Sequence, residues 1–171
     1  LSIVYTIHFN FNTIGLEMSD LVLPEIHTIL IDMDEVLVNS HAIFAQVAKK
    51  DPYEFDKELA VLKIFGLKHK FIFPLIFKAI DLELFSIAPP TNFTVALKHN
   101  ILEYWTKTLG IKVEILTSTM KENPKRQELQ QQKLSWLSSH DKISELKVNF
   151  AVGSEDKQNF AKPGVLLIDD F

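Results

Sequence analysis

The stretch His27-Thr28-Ile29-Leu30-Ile31-Asp32-Met33-Asp34 decides how this chain of 171 residues is read. Its apolar centre, Ile29 to Ile31, is contiguous rather than alternating, as expected of a strand covered on both faces. The strand over 27–34 then ends in two carboxylates one residue apart. Such charges repel each other and resist leaving water, so they point to a cation, a proton-transfer task or both as compensation. An Asp after a strand also serves as an N-cap or a turn residue, and a D-x-D triplet is common in loops. The rest of the chain bears on that choice.

Residues 39–109 read as almost wholly helical, with Asn39 or Ser40 as an N-cap and Asp51-Pro52 opening a further helix. Pro74 and Pro89-Pro90 punctuate this region into at least three segments. The last, Thr91 to Leu109, carries Phe93, Leu97, Ile101 and Trp105 at near-helical spacing, a packing stripe closed by Gly110. A second strand, Ile111 to Leu116, runs into Thr117-Ser118-Thr119. A helix follows from about Pro124 to His140, with Leu129, Trp136 and Leu137 on its apolar side and Lys133 read as a surface residue. A third strand, Val148 to Val152, leads through the polar segment Ser154 to Ala161 to a fourth, Val165 to Ile168, which ends in Asp169-Asp170.

Strands alternating with helices predict a parallel sheet with helices on both faces. In such sheets ligands bind beyond the carboxyl ends of the strands. Three of the four strands end there in polar residues: Asp32 and Asp34, Thr117 and Ser118, Asp169 and Asp170. Their agreement favours an active site over isolated turn residues.

Composition narrows the chemistry. At 47% hydrophobic residues the chain is globular and long enough for one domain with a real core. The absence of cysteine excludes disulfides, thiolate metal sites and a Cys nucleophile, and a cytoplasmic protein is expected. A formal charge of −4 without a Lys/Arg cluster speaks against a nucleic-acid partner but is compatible with a phosphorylated small molecule. No membrane span is expected, since the most apolar run, Phe71 to Phe77, is short and flanked by lysines. The six histidines lack H-x-x-x-H or H-E-x-x-H spacing, and neither a P-loop nor a G-x-S-x-G elbow is present. Residues 1–26 read as an N-terminal extension, with Met18 a candidate for the natural start. The stop just after Asp169-Asp170 reads as a strand left abruptly.

The run Ile29-Leu30-Ile31-Asp32-Met33-Asp34-Glu35-Val36-Leu37 resembles motif I of the haloacid dehalogenase superfamily, a hydrophobic strand followed by D-x-D. Ile115-Leu116-Thr117-Ser118 resembles motif II, Lys157 fits the motif III lysine with Lys162 as its rival, and Leu166-Leu167-Ile168-Asp169-Asp170 resembles motif IV. Met33, the Thr-Ser pair, the Lys133-x-x-Trp136-Leu137 helix and the L-I-D-D ending look closest to the 5'(3')-deoxyribonucleotidase branch. Two departures stand out: Glu35 occupies the place of the usual glycine, and Ser40 that of a base-stacking aromatic.

The resemblance implies a three-layer α/β fold, with a Rossmann-like parallel-sheet core over 27–38 and 110–171 and a helical cap, 39–109, inserted after the first strand. It implies a magnesium-dependent phosphomonoesterase acting on a nucleoside monophosphate through an aspartyl-phosphate, with other small phosphoesters, nucleic-acid ends or a non-catalytic binding domain as alternatives. Asp32 becomes the nucleophile, since a carboxylate is already ionised, and Asp34 the general acid and base. Thr117, Ser118 and Lys157 bind phosphate. Mg²⁺ is held by Asp32, the Asp34 carbonyl and Asp170, with Asp169 behind Asp170 or in its place. Phe44, Tyr53, Phe55, Phe65, Phe71, Phe73 and Phe77 are either base-stacking or core residues. A homodimer is an admissible assembly.

Overall fold

In the computed structural model, residues 25–121 and 123–170 are described, so the extension and the candidate start at Met18 lie outside the described residues. β1 (Thr28–Ile31) is followed by helices α1 (Ser40–Ala48), α2 (Pro52–Ile64), α3 (Lys68–Asp81) and α4 (Asn92–Ala96). β2 (Lys112–Ser118), α5 (Arg126–Ser138), β3 (Lys147–Ala151), a 3₁₀ segment (Ser154–Phe160) and β4 (Val165–Ile168) complete the order. The sheet is all parallel, in the order β3-β2-β1-β4. Expected strand positions therefore hold to within a few residues.

Period-two alternation sorts the side chains onto two faces. Ile29 and Ile31, in register with Val113 and Ile115 of β2 and Leu166 and Ile168 of β4, belong to the main core. Leu129, Trp136 and Leu137 of α5 join them, as do Leu97 and the half-buried Phe93, Ile101 and Trp105, so the expected stripe is packing. The opposite face holds a smaller cluster of Leu30, Leu116 and Ala151, with Phe160, Val165 and Leu167 against it.

Two local expectations are corrected. Pro74 does not divide a helix but sits inside α3. Its missing N–H would leave the Lys70 carbonyl unpaired, and both residues are exposed, so water can satisfy that oxygen. The break falls instead at Gly66, whose φ of 67° ends α2 as a left-handed residue. Beyond α4 the helix winds into π turns over Leu97–Ile101 and Tyr104–Thr108. There the Thr106 hydroxyl donates to the Leu102 carbonyl at 2.7 Å and competes with the backbone ladder.

The helical segment leaves and rejoins the sheet through two strands of loop that lie side by side. Val38 bridges Pro90, and the amides of Asn39 and Thr91 donate to the carbonyls of Pro89 and Leu37, each at 2.9 Å. The Thr94 hydroxyl, buried, donates to the Leu37 carbonyl at 2.6 Å. Among the described residues no helix is long and apolar enough to cross a membrane.

Candidate active site

The order β3-β2-β1-β4 puts the switch in strand order between β1 and β4, where chain connections diverge and leave a crevice at the carboxyl ends. Asp32 ends β1 and Asp169 ends β4, and the Asp32 amide donates to the Ile168 carbonyl at 2.9 Å. Register alone thus brings the two acidic strand ends together.

Asp32 is buried. One of its oxygens, Oδ1, accepts from the Met33 amide at 2.7 Å, and Oδ2 pairs with Lys157 Nζ at 2.6 Å. The same Nζ reaches Asp169 Oδ2 at 2.8 Å, while Asp169 Oδ1 accepts from the Asp170 amide at 2.9 Å. Lys157 is itself buried and Lys162 is exposed, so Lys157 is the lysine at this site. Each of Asp32, Asp169 and Asp170 offers a carboxylate oxygen within 4.8 Å of the others.

Electrostatics follow from that crowding. Burial pushes the Asp32 carboxyl up to about 8 even though Lys157 pulls it down, and Asp34 and Asp169 add to the rise. Burial likewise raises Asp170, helped by its hydrogen bond with Asp169 and opposed by Lys68 and Lys157. Burial alone would lower Lys157, but Asp32 and Asp169 outweigh it and raise it. Three clustered carboxylates, two of them sharing the Lys157 ammonium, make a hard, all-oxygen, electron-rich donor set, which fits Mg²⁺ better than a soft metal.

Asp34 stands apart from the trio. Its carboxylate, 36% exposed, pairs through Oδ2 with Lys133 Nζ at 2.6 Å. Lys133 also donates to Thr117 Oγ1 at 2.7 Å and to the Ser118 carbonyl at 2.9 Å, and is 1% exposed. The reading of Lys133 as a surface residue is therefore corrected: it ties the ends of β1 and β2 to each other. The signal was in the sequence, because Leu129, Lys133, Trp136 and Leu137 share one helical face, and a lysine on an apolar stripe must find acceptors.

A pocket of about 450 Å³ opens over these residues, within the usual range for small ligands of about 300–1,000 Å³. Asp34, Ser118, Lys133 and Asp170 form its floor, and Phe44, Ile72, Phe73, Ile76 and Phe85 give it an apolar wall. Of the seven aromatic candidates, Phe44 and Phe73 line it; Phe55 is core, Tyr53 and Phe65 are exposed, and Phe71 and Phe77 are half-buried. Both departures from the motif, Glu35 and Ser40, stand here, together with His41, which had no expected role. Ser40 Oγ donates to Asp34 Oδ1 at 3.5 Å, and His41 approaches Glu35. Neither a protein-family model nor a curated protein sequence matches the chain.

Proposed function

We propose that this chain is a magnesium-dependent phosphomonoesterase of the haloacid dehalogenase type, closest to 5'(3')-deoxyribonucleotidases, with nucleoside monophosphates as its substrates. The observation that carries this reading is the trio Asp32, Asp169 and Asp170 at the β1/β4 switch point, with Lys157 bridging Asp32 and Asp169. Structural turn residues have no reason to bury two carboxylates, Asp32 and Asp169, on one ammonium with a third, exposed one, Asp170, beside them, because each buried charge costs several kcal/mol unless compensated. In this reading 39–109 is a cap on a three-layer Rossmann-like core, and the protein acts in the cytoplasm.

Asp32, Asp169, Asp170 and the Asp34 carbonyl would hold Mg²⁺, which when bound supplies positive charge to the carboxylates and to a phosphate oxygen. Asp32, in the ionised form that Lys157 favours against burial, attacks phosphorus and the bond to the leaving oxygen breaks, giving an aspartyl-phosphate. Asp34 gives the leaving oxygen its proton, then takes one from the water that hydrolyses the acyl phosphate, so both carboxyls return to their starting state. Lys133 holds Asp34 and Thr117 at fixed separation, so the proton donor and the phosphate-binding hydroxyl keep their relative placement. Lys157 offsets charge on Asp32 and the transferring phosphoryl group. The apolar wall faces whatever the phosphate carries, and suits a base better than a bare sugar.

Phosphate release from a panel of nucleoside monophosphates and sugar phosphates, with and without Mg²⁺, tests the assignment. Magnesium-dependent release, greatest for nucleoside monophosphates, is expected. Preference for a sugar phosphate would shift the substrate class, and tight phosphate binding without turnover would leave a binding domain of the same fold.

A further inference from the structure

Glu35 follows the general acid Asp34 directly and has a φ of 58°, in the left-handed region that glycine enters freely and a side chain does not. A residue held there against its own preference has to be retained by contacts. Those contacts are specific. Glu35 Oε1 accepts from the His41 amide at 2.7 Å, and Oε2 lies 3.4 Å from His41 Nδ1. The same Nδ1 lies 3.1 Å from Asp56 Oδ1 on α2.

This is not ordinary capping. α1 already has a cap in Asn39, whose Oδ1 accepts from the Ala42 amide at 2.9 Å. Glu35 reaches from the catalytic loop to a second amide of the same first turn, and His41 extends the chain of contacts to α2. The backbone of that loop is closed on itself as well, the Glu35 amide donating to the Val38 carbonyl at 2.7 Å. Ser40, His41 and Phe44, the residues α1 contributes to the pocket, sit immediately beyond this joint.

Resting on the phosphatase reading above, we infer that Glu35 is a positioning residue: it fastens α1, and through His41 and Asp56 also α2, to the loop carrying Asp34. The substrate wall on α1 is thereby held in register with the reacting carboxylates. Glu35 donates no proton to the reaction and acts through α1.

Backbone strain and fastening make opposite predictions for Glu35→Gly, which separates the inference from a purely structural role. Glycine relieves the left-handed φ but removes the acceptor. The expected result is an unchanged or higher Tm, faster hydrogen exchange at the His41 amide, and a KM for the best nucleoside monophosphate raised about tenfold while kcat changes less than about threefold. Glu35→Gln, which keeps Oε1 as an acceptor, should restore KM and the protection of the His41 amide. Unchanged KM in Glu35→Gly, or unchanged exchange at His41, overturns the inference. Lack of any magnesium-dependent phosphate release by the unsubstituted protein overturns the phosphatase reading instead, before any variant is compared.

Discussion

Lys133 is the residue on which the site's geometry turns. It is the buried charge that joins the Asp34 carboxylate, just beyond β1, to the hydroxyl and carbonyl that end β2. Replacing it by methionine keeps volume and removes all three hydrogen bonds. Breaking a fully buried ion pair costs about 3–5 kcal/mol, but the 36% exposure of Asp34 lets water reach the carboxylate that is left. Lys133→Met should therefore cost about 2 kcal/mol, a Tm lower by about 4–8 °C in a chain of this size. Turnover should fall about a hundredfold, because Asp34 loses its fixed placement; thermal melts and kcat on the same preparation check both. The acidic residues of the site were legible in the sequence because each ends a recognisable strand. Lys133 reads from the sequence as a surface residue, although its stripe places it in the interior, because a lone lysine on a helix is by default a solvated one. Glu35 could be noticed as a departure from glycine, yet its partner His41 depends on how the loop closes, which no spacing reveals.

Among the elements, the strands were the most readable: contiguous Ile, Leu and Val runs place β1 and β4, and shorter apolar stretches interrupted by Glu114 and Asn149 place β2 and β3, to within a few positions. Helix breaks were less so, since Pro74 tolerates a helix interior where its lost hydrogen bond faces water, and Gly66 carries the true turn. β2 also holds a charge in its middle. Glu114, buried, pairs with Lys112, accepts from Asn149 Nδ2 at 2.7 Å and lies 3.3 Å from Lys147 Nζ, so it links β2 to β3. Burial works against its ionised form, but Lys112, Asn149 and Lys147 together outweigh burial and hold the carboxyl down at about 2, below the ordinary 4.5. On acidification the unfolded chain therefore takes up this proton first. The stability that Glu114 adds is whole above pH 4.5 and is lost as pH falls toward 2. Glu114→Gln should lower Tm at neutral pH, and the gap from the unsubstituted protein should close over that acid range. A gap that persists at the acid end would assign the effect to packing instead.

For the molecule as a whole, the parallel order β3-β2-β1-β4 is what turns separate acidic strand ends into one site, with the helical segment supplying the wall opposite. Alternation of strands and helices made a parallel sheet legible. The strand order that sets Asp169 beside Asp32, and the face that α1 and α3 turn to the pocket, depend on long-range packing and emerge only in the fold. The proposed function stands on uptake of the phosphoryl group by Asp32, and trapping that group on the protein is its sharpest test. The protein is mixed with magnesium and its best nucleoside monophosphate, quenched in acid, and its peptides are weighed. The expected result is the mass of one phosphoryl group on the peptide bearing Asp32, absent without magnesium and absent in Asp32→Asn, which also loses turnover. Phosphate release that survives in Asp32→Asn, or a phosphoryl group carried by any other residue, would contradict it.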